Sequence, residues 1–135
     1  MALITWNDNL SVNVQEIDLQ HKKLVGMLND LHEAMMQGKG SEAMGKIING
    51  MIEYAGIHFQ TEEKYFVKFG YLEAGSHKRE HTDFVNKVNK FKQEFDKDSF
   101  TLTFNVLQFL SDWLKNHIMV VDKKYSRLFN EKGLR

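Results

Sequence analysis

Two short motifs set candidate metal donors four residues apart, His58-Phe-Gln-Thr-Glu62 and His77-Lys-Arg-Glu-His81. On a helix that spacing leaves two side chains about 40° apart around the axis and about 6 Å apart along it, so each pair shares a face. Either pair could grip one metal ion, but each alone is a weak signal. On successive antiparallel helices both faces can aim at one central point, which is where helical bundles build their metal sites. His21 and His117 add an imidazole before and after these motifs, so five of the six histidines are used. Asp122 follows His117 by five residues, about 140° around a regular helix. If the two act together, the chain must bend, end or make a π-type turn within 118–121. With no cysteine, thiolate zinc sites, iron–sulfur clusters and disulfides are excluded, and any metal must be held by His, carboxylate or water.

The elements that must carry these donors read as helices. There is no proline in the chain, and apolar residues recur at three- and four-residue intervals between glycine-containing breaks. A first helix spans about Asp18 to Met36, with Asp18 as its cap and Leu24, Val25, Leu28 and Leu31 on one side. A second starts at a Ser41 cap, carries Ile47, Ile48, Met51, Ile52, Ala55, Phe59 and Phe66, and stops at Gly70. A third begins near Ala74 to Ser76, Ser76 being the expected cap. It presents His77, His81, Phe84, Val85, Val88, Phe91 and Phe95, then meets the polar break Asp96-Lys-Asp-Ser99. The fourth runs from about Thr101 through Phe104, Leu107, Phe109, Leu110, Trp113, Leu114 and Ile118 toward Phe129. Short connections favour antiparallel neighbours. The expected fold is therefore all-α, an antiparallel up-down-up-down four-helix bundle forming one domain over residues 1–135. Residues 1–17 fit no helical period and form an extended arm laid on the bundle of residues 18–130.

Composition narrows the partners. Eighteen basic and eighteen acidic residues give a formal net charge of zero. That argues against a broad nucleic-acid or anionic-membrane footprint. The amino terminus lacks a basic start followed by a long apolar stretch, and no window of about 18 residues is uncharged and apolar. No membrane insertion and a cytoplasmic location are the expectations.

The ordered set His21, His58 with Glu62, His77 with His81, and His117 with Asp122 resembles the hemerythrin family, whose pattern is one His, HxxxE, HxxxH and HxxxxD. The match spans nearly the whole chain, and Trp6 is similar to the family's amino-terminal tryptophan. Many members carry proline soon after the fourth-helix histidine, where this chain has Ile118-Met119. The resemblance implies a non-haem di-iron centre. His77, His81 and His117 would bind one iron, His21 and His58 the other, and Glu62 and Asp122 would bridge them beside an oxo or hydroxo group. Two six-coordinate ions offer twelve positions; five imidazoles, two bidentate bridges and one shared oxygen fill eleven. The open position falls on the iron with two histidines. The implied function is reversible dioxygen binding, as carrier, store or scavenger and not as an enzyme. Leu24, Trp113, Leu114 and Ile118, each within a helical turn of His21 or His117, are the expected apolar lining of the oxygen pocket. A monomer is expected, and an oxygen-accepting protein is a candidate partner.

Plainer readings stand beside these. His32 lies near the angular position of His21 but about 16 Å farther along the helix, and is expected to be a hydrogen-bonded core histidine. Glu62 beside Glu63 and Lys64 would alone belong to a solvated face, and Met and Phe are core filling. The competing functions are a ferritin-like di-iron oxidase or peroxidase, an oxygen or redox sensor acting through a partner, and a zinc site. Ferritin-like sites favour several carboxylates with ExxH pairs, whereas this set has five imidazoles and two carboxylates.

Overall fold

The computed structural model describes residues 3–95 and 99–135. Four long helices lead the architecture: α1 (Gln15–Met36), α2 (Gly40–Phe69), α3 (Ala74–Glu94) and α4 (Ser99–Asp112). The chain of α4 continues without a break through a π-helical stretch (Trp113–Val121), a 3₁₀ turn (Asp122–Tyr125) and a short α5 (Ser126–Glu131). No strand occurs among the described residues. Neighbouring helices run antiparallel. Gln20 and Met27 of α1 meet Thr61 and Gly50 of α2; Phe66 and Phe59 meet His77 and His81 of α3; Glu80 and Phe91 meet His117 and Phe109. This is the expected up-down-up-down bundle.

Helix starts differ from the sequence expectation in detail. Helix α1 begins at Gln15, three residues early, and its cap position is Val14. Asp18 instead sits in the first turn, where its carboxylate accepts the Val12 N–H at 2.8 Å and the Ser11 hydroxyl at 2.6 Å. The carboxylate thus closes the turn of the incoming arm, which Asn13 makes with a positive φ of 59°. Lys39, not Ser41, is the cap of α2, and Glu73, not Ser76, that of α3; neither gives a side-chain capping bond. Ser76 turns its hydroxyl back to the Glu73 carbonyl. Gly70 does end α2, in the left-handed conformation that lacks a steric penalty only for glycine. Of the polar break, residues 96–98 lie outside the described residues, and α4 opens at Ser99, before the expected Thr101.

The arm is held at both ends. Ile4 exchanges two backbone hydrogen bonds with the Asn29 amide of α1, and Trp6 lies under the Lys22 ammonium. Ser126 and Asn130 of α5 donate to the Val12 and Asn13 carbonyls. Its Leu10, Val12 and Val14 are buried. Two apolar clusters fill the bundle. The larger holds Leu24, Leu28, Met51, Phe59, Phe84, Leu110 and Leu114. The smaller holds Val12, Val14, Ile17, Phe66, Tyr125 and Phe129. Each such side chain contributes about 1.5–3 kcal/mol on burial, so propensity alone is the smaller reason that these helices form. Ile52, Val85 and Phe104, counted with the inward faces by periodicity, are exposed instead.

Candidate metal centre

Between the two apolar clusters lies a polar layer. Here α1 presents His21, α2 presents His58 and Glu62, α3 presents His77 and His81, and the π-helical stretch and the turn after it present His117 and Asp122. All seven are at least 97 % buried. The five-residue step from His117 to Asp122 is met as the spacing required. The Asp122 N–H bonds to the His117 carbonyl, five residues back, and this wider turn brings both side chains to one face. The distortion forms without proline.

The donors fall into two groups that share both carboxylates. One is Glu62, His77, His81, His117 and Asp122; the other is His21, His58, Glu62 and Asp122. Asp122 divides its oxygens, Oδ1 standing 2.8 and 2.9 Å from the Nε2 atoms of His77 and His117, and Oδ2 3.0 Å from that of His21. Glu62 sets Oε1 2.9 Å from His81 Nε2 and 3.2 Å from His58 Nε2. Adjacent ligands of an octahedral ion with bonds of about 2.1 Å lie about 3.0 Å apart, so these distances fit ligands around a cation. Orientation agrees. The Nε2 atoms of His77, His81 and His117, Glu62 Oε1 and both Asp122 oxygens have no hydrogen-bond partner among the described residues, although opposite groups stand at 2.8–3.6 Å. Their lone pairs aim past one another, at shared points.

Such a layer is costly unless its charges cancel. Burial pushes the Glu62 and Asp122 carboxyls up, but the facing histidines hold both well below the usual carboxylate range. Burial likewise pushes His58 and His77 down, and the two carboxylates outweigh it, raising His58 to about 9 and His77 to about 10. Burial and the neighbouring His58 lower His21. The two carboxylates and the histidines facing them thus offset one another's burial, and a cation entering the layer would compete with protons for the same atoms.

A surrounding set of side chains fixes which ring nitrogen faces inward. The Thr61 hydroxyl donates to the Ile57 carbonyl and accepts from the Gln20 amide, which leaves Gln20 Oε1 to accept from His58 Nδ1–H at 2.7 Å. Glu63 and Glu80 receive Nδ1–H of His81 and His117 at 3.1 and 2.9 Å. Tyr125, fully buried and stacked on Phe129, donates to Glu62 Oε2. Sequence reasoning missed Gln20, Glu80 and Tyr125, and it read Glu63 as solvated. The available signal was spacing: Gln20 precedes His21, Glu63 follows Glu62, Glu80 precedes His81, and Tyr125 stands three residues after Asp122.

Residues 12–129 match the hemerythrin HHE cation binding domain. The chain belongs to the hemerythrin family. It is 36 % identical over 126 residues to a bacteriohemerythrin of Methylococcus capsulatus, covering 93 % of this chain and 95 % of that one. A bacteriohemerythrin of Pseudomonas aeruginosa is 35 % identical, with 93 % and 80 % covered. The crystal structure of a wild-type hemerythrin superposes with a TM-score of 0.82 at 33 % identity, covering 94 % of this chain and 98 % of that one.

The hemerythrin ligand pattern thus falls on side chains that the fold brings together. Leu24, Trp113, Leu114 and Ile118 are all buried in the larger apolar cluster. The Trp113 ring lies flat on His117 at 3.8 Å between centroids. His32 stands outside both donor groups, as expected, but it is half-buried and its Nδ1 has no hydrogen-bond partner, so it is not the satisfied core histidine anticipated. No helix among the described residues is long and apolar enough to cross a membrane.

Proposed function

We propose that this hemerythrin-family chain binds dioxygen reversibly at a non-haem di-iron centre, acting as an oxygen carrier, store or scavenger. The observation that carries the reading is the asymmetry of the donor layer: three imidazoles on one side, two on the other, and two carboxylates common to both. His77, His81 and His117 would hold one iron, His21 and His58 the second, with Glu62 and Asp122 spanning the pair. Bound there, two iron ions would supply the electrons that dioxygen takes up on binding and returns on release. The chain supplies the rest. Gln20, Glu63 and Glu80 hold three imidazoles with Nε2 inward. Tyr125 holds Glu62 by its outer oxygen. Leu24, Trp113, Leu114 and Ile118, all buried, would line an apolar pocket that keeps water from the side with two histidines, where the open coordination position would fall.

Binding is favoured over oxidation chemistry because five of the seven donors are neutral ligands when coordinated, leaving little anionic charge to stabilise oxidised iron. A cytoplasmic location and delivery to an oxygen-accepting protein fit a carrier or store. The test is anaerobic loading with ferrous iron, followed by optical and resonance Raman spectra under oxygen and again after the oxygen pressure is lowered. Two irons per chain and a colour that appears and fades with pressure are expected. One zinc and no iron, or bleaching that consumes peroxide, would refute the proposal.

A further inference from the structure

The buried polar atoms left without partners extend beyond the seven donors. Tyr54 lies one helical turn before His58 and stacks on its ring, centroids 4.9 Å apart at 17°. Trp113 lies one turn before His117 and stacks on that ring. Both side chains are more than nine-tenths buried, at 6 % and 8 % exposure, and their rings pack on Phe59 and Phe84. Neither the Tyr54 hydroxyl nor the Trp113 indole nitrogen has a hydrogen-bond partner among the described residues. Phenylalanine would pack in the same space without a desolvated hydroxyl, so packing does not account for this tyrosine.

Position supplies an account. Along α2 the order Glu62, His58, Tyr54 leads from the shared carboxylate to the two-histidine side and on into the apolar layer. Leu24, Trp113 and Leu114 share that layer. A hollow of about 210 Å³ between α1 and α2, walled by Gln20, Lys23, Met27, Gly50, Glu53 and Ile57, reaches both Tyr54 and His58 from the surface.

We propose that Tyr54, supported by Trp113, donates a hydrogen bond to the small ligand held on the two-histidine side of the centre and selects ligands that accept one. This rests on the dioxygen-binding reading. A ligand that gains negative charge on binding is retained by such a donor, and one that cannot accept a hydrogen bond leaves the hydroxyl desolvated and is disfavoured.

The test compares wild type with Tyr54→Phe in two states. In the iron-loaded ferric protein, azide is titrated by its visible absorption and iron per chain is measured. In the metal-free protein, thermal unfolding is followed. The expected result for Tyr54→Phe is unchanged iron, azide affinity weaker by roughly ten- to a hundredfold, and a metal-free melting temperature equal to or above wild type. Trp113→Phe is expected to weaken azide by a smaller factor with iron retained. Equal azide affinity in wild type and Tyr54→Phe would overturn the proposal while leaving the dioxygen reading intact. A metal-free variant that melts several degrees lower, or does not fold, would overturn it by showing that the hydroxyl is structural. Wild type that takes up iron but binds neither azide nor oxygen would end both.

Discussion

Replacing Tyr125 by phenylalanine removes one oxygen and keeps the ring. The ring is fully buried, stacked on Phe129 at 4.4 Å and tilted against Phe66 and His77, and phenylalanine preserves each of those contacts. What disappears is a donor to the ionised, wholly buried Glu62 carboxylate. A buried hydrogen bond to a charged group contributes about 1.5–3 kcal/mol. With an unfolding entropy of about 2.1 cal/mol/K per residue over 135 residues, a loss of 1 kcal/mol lowers the melting temperature by about 3.5 °C. The metal-free Tyr125→Phe protein should therefore melt about 5–11 °C below wild type. Glu62 Oε1 faces His58 and His81 only while its other oxygen is held, so metal affinity should also fall, by about 10–100-fold. Calorimetry of chelator-treated protein and competitive metal titration read the two effects. A melting temperature within about 1 °C of wild type, with metal affinity unchanged, would show that Glu62 is oriented by other means.

His117→Ala should abolish stable occupancy of the three-histidine site, whereas His32→Ala, outside both donor groups, should leave iron content unchanged by elemental analysis. The reverse pattern contradicts the assignment. Leu24→Ala, at a wholly buried position beside His21, should cost about 2–5 kcal/mol. It should also hasten loss of the reversible oxygen colour by admitting water, and an unchanged decay rate would remove Leu24 from the pocket. For metal-free protein, thermal melts across pH should peak near pH 6.5. His58 and His77, raised to about 9 and 10, contribute stability that is whole below about 6.5 and is lost as pH climbs through those values. His21, lowered by burial and by His58, contributes stability that is lost as pH falls below about 6.5, and the depressed Glu62 and Asp122 contribute stability present above about 4.5 that is lost on further acidification. A melting temperature still rising between pH 7 and 10 would contradict this balance.

Much of this was legible before any coordinates. Helical period, the absence of proline and the glycine stops determined four amphipathic helices, because apolar spacing and backbone freedom are local properties of the chain. Spacing within His58 to Glu62 and His77 to His81 determined shared faces. The five-residue step from His117 to Asp122 demanded a distortion, and it is present. Other features depended on residues far apart in sequence. Asp18 closes the turn of the arm instead of capping α1, since the arm brings the Val12 N–H within reach of its carboxylate. Glu63 and Glu80 look like any solvated acids until α2 and α3 pack and α3 meets the π-helical stretch. Tyr125 finds Glu62 across 63 residues, and the Tyr54 hydroxyl is left without a partner only because four helices close around it. Local periodicity chooses which face of a helix turns inward; only the packed bundle decides which polar atoms then meet, because hydrogen bonds and charge balance are settled over a few ångströms between segments that the chain itself keeps far apart.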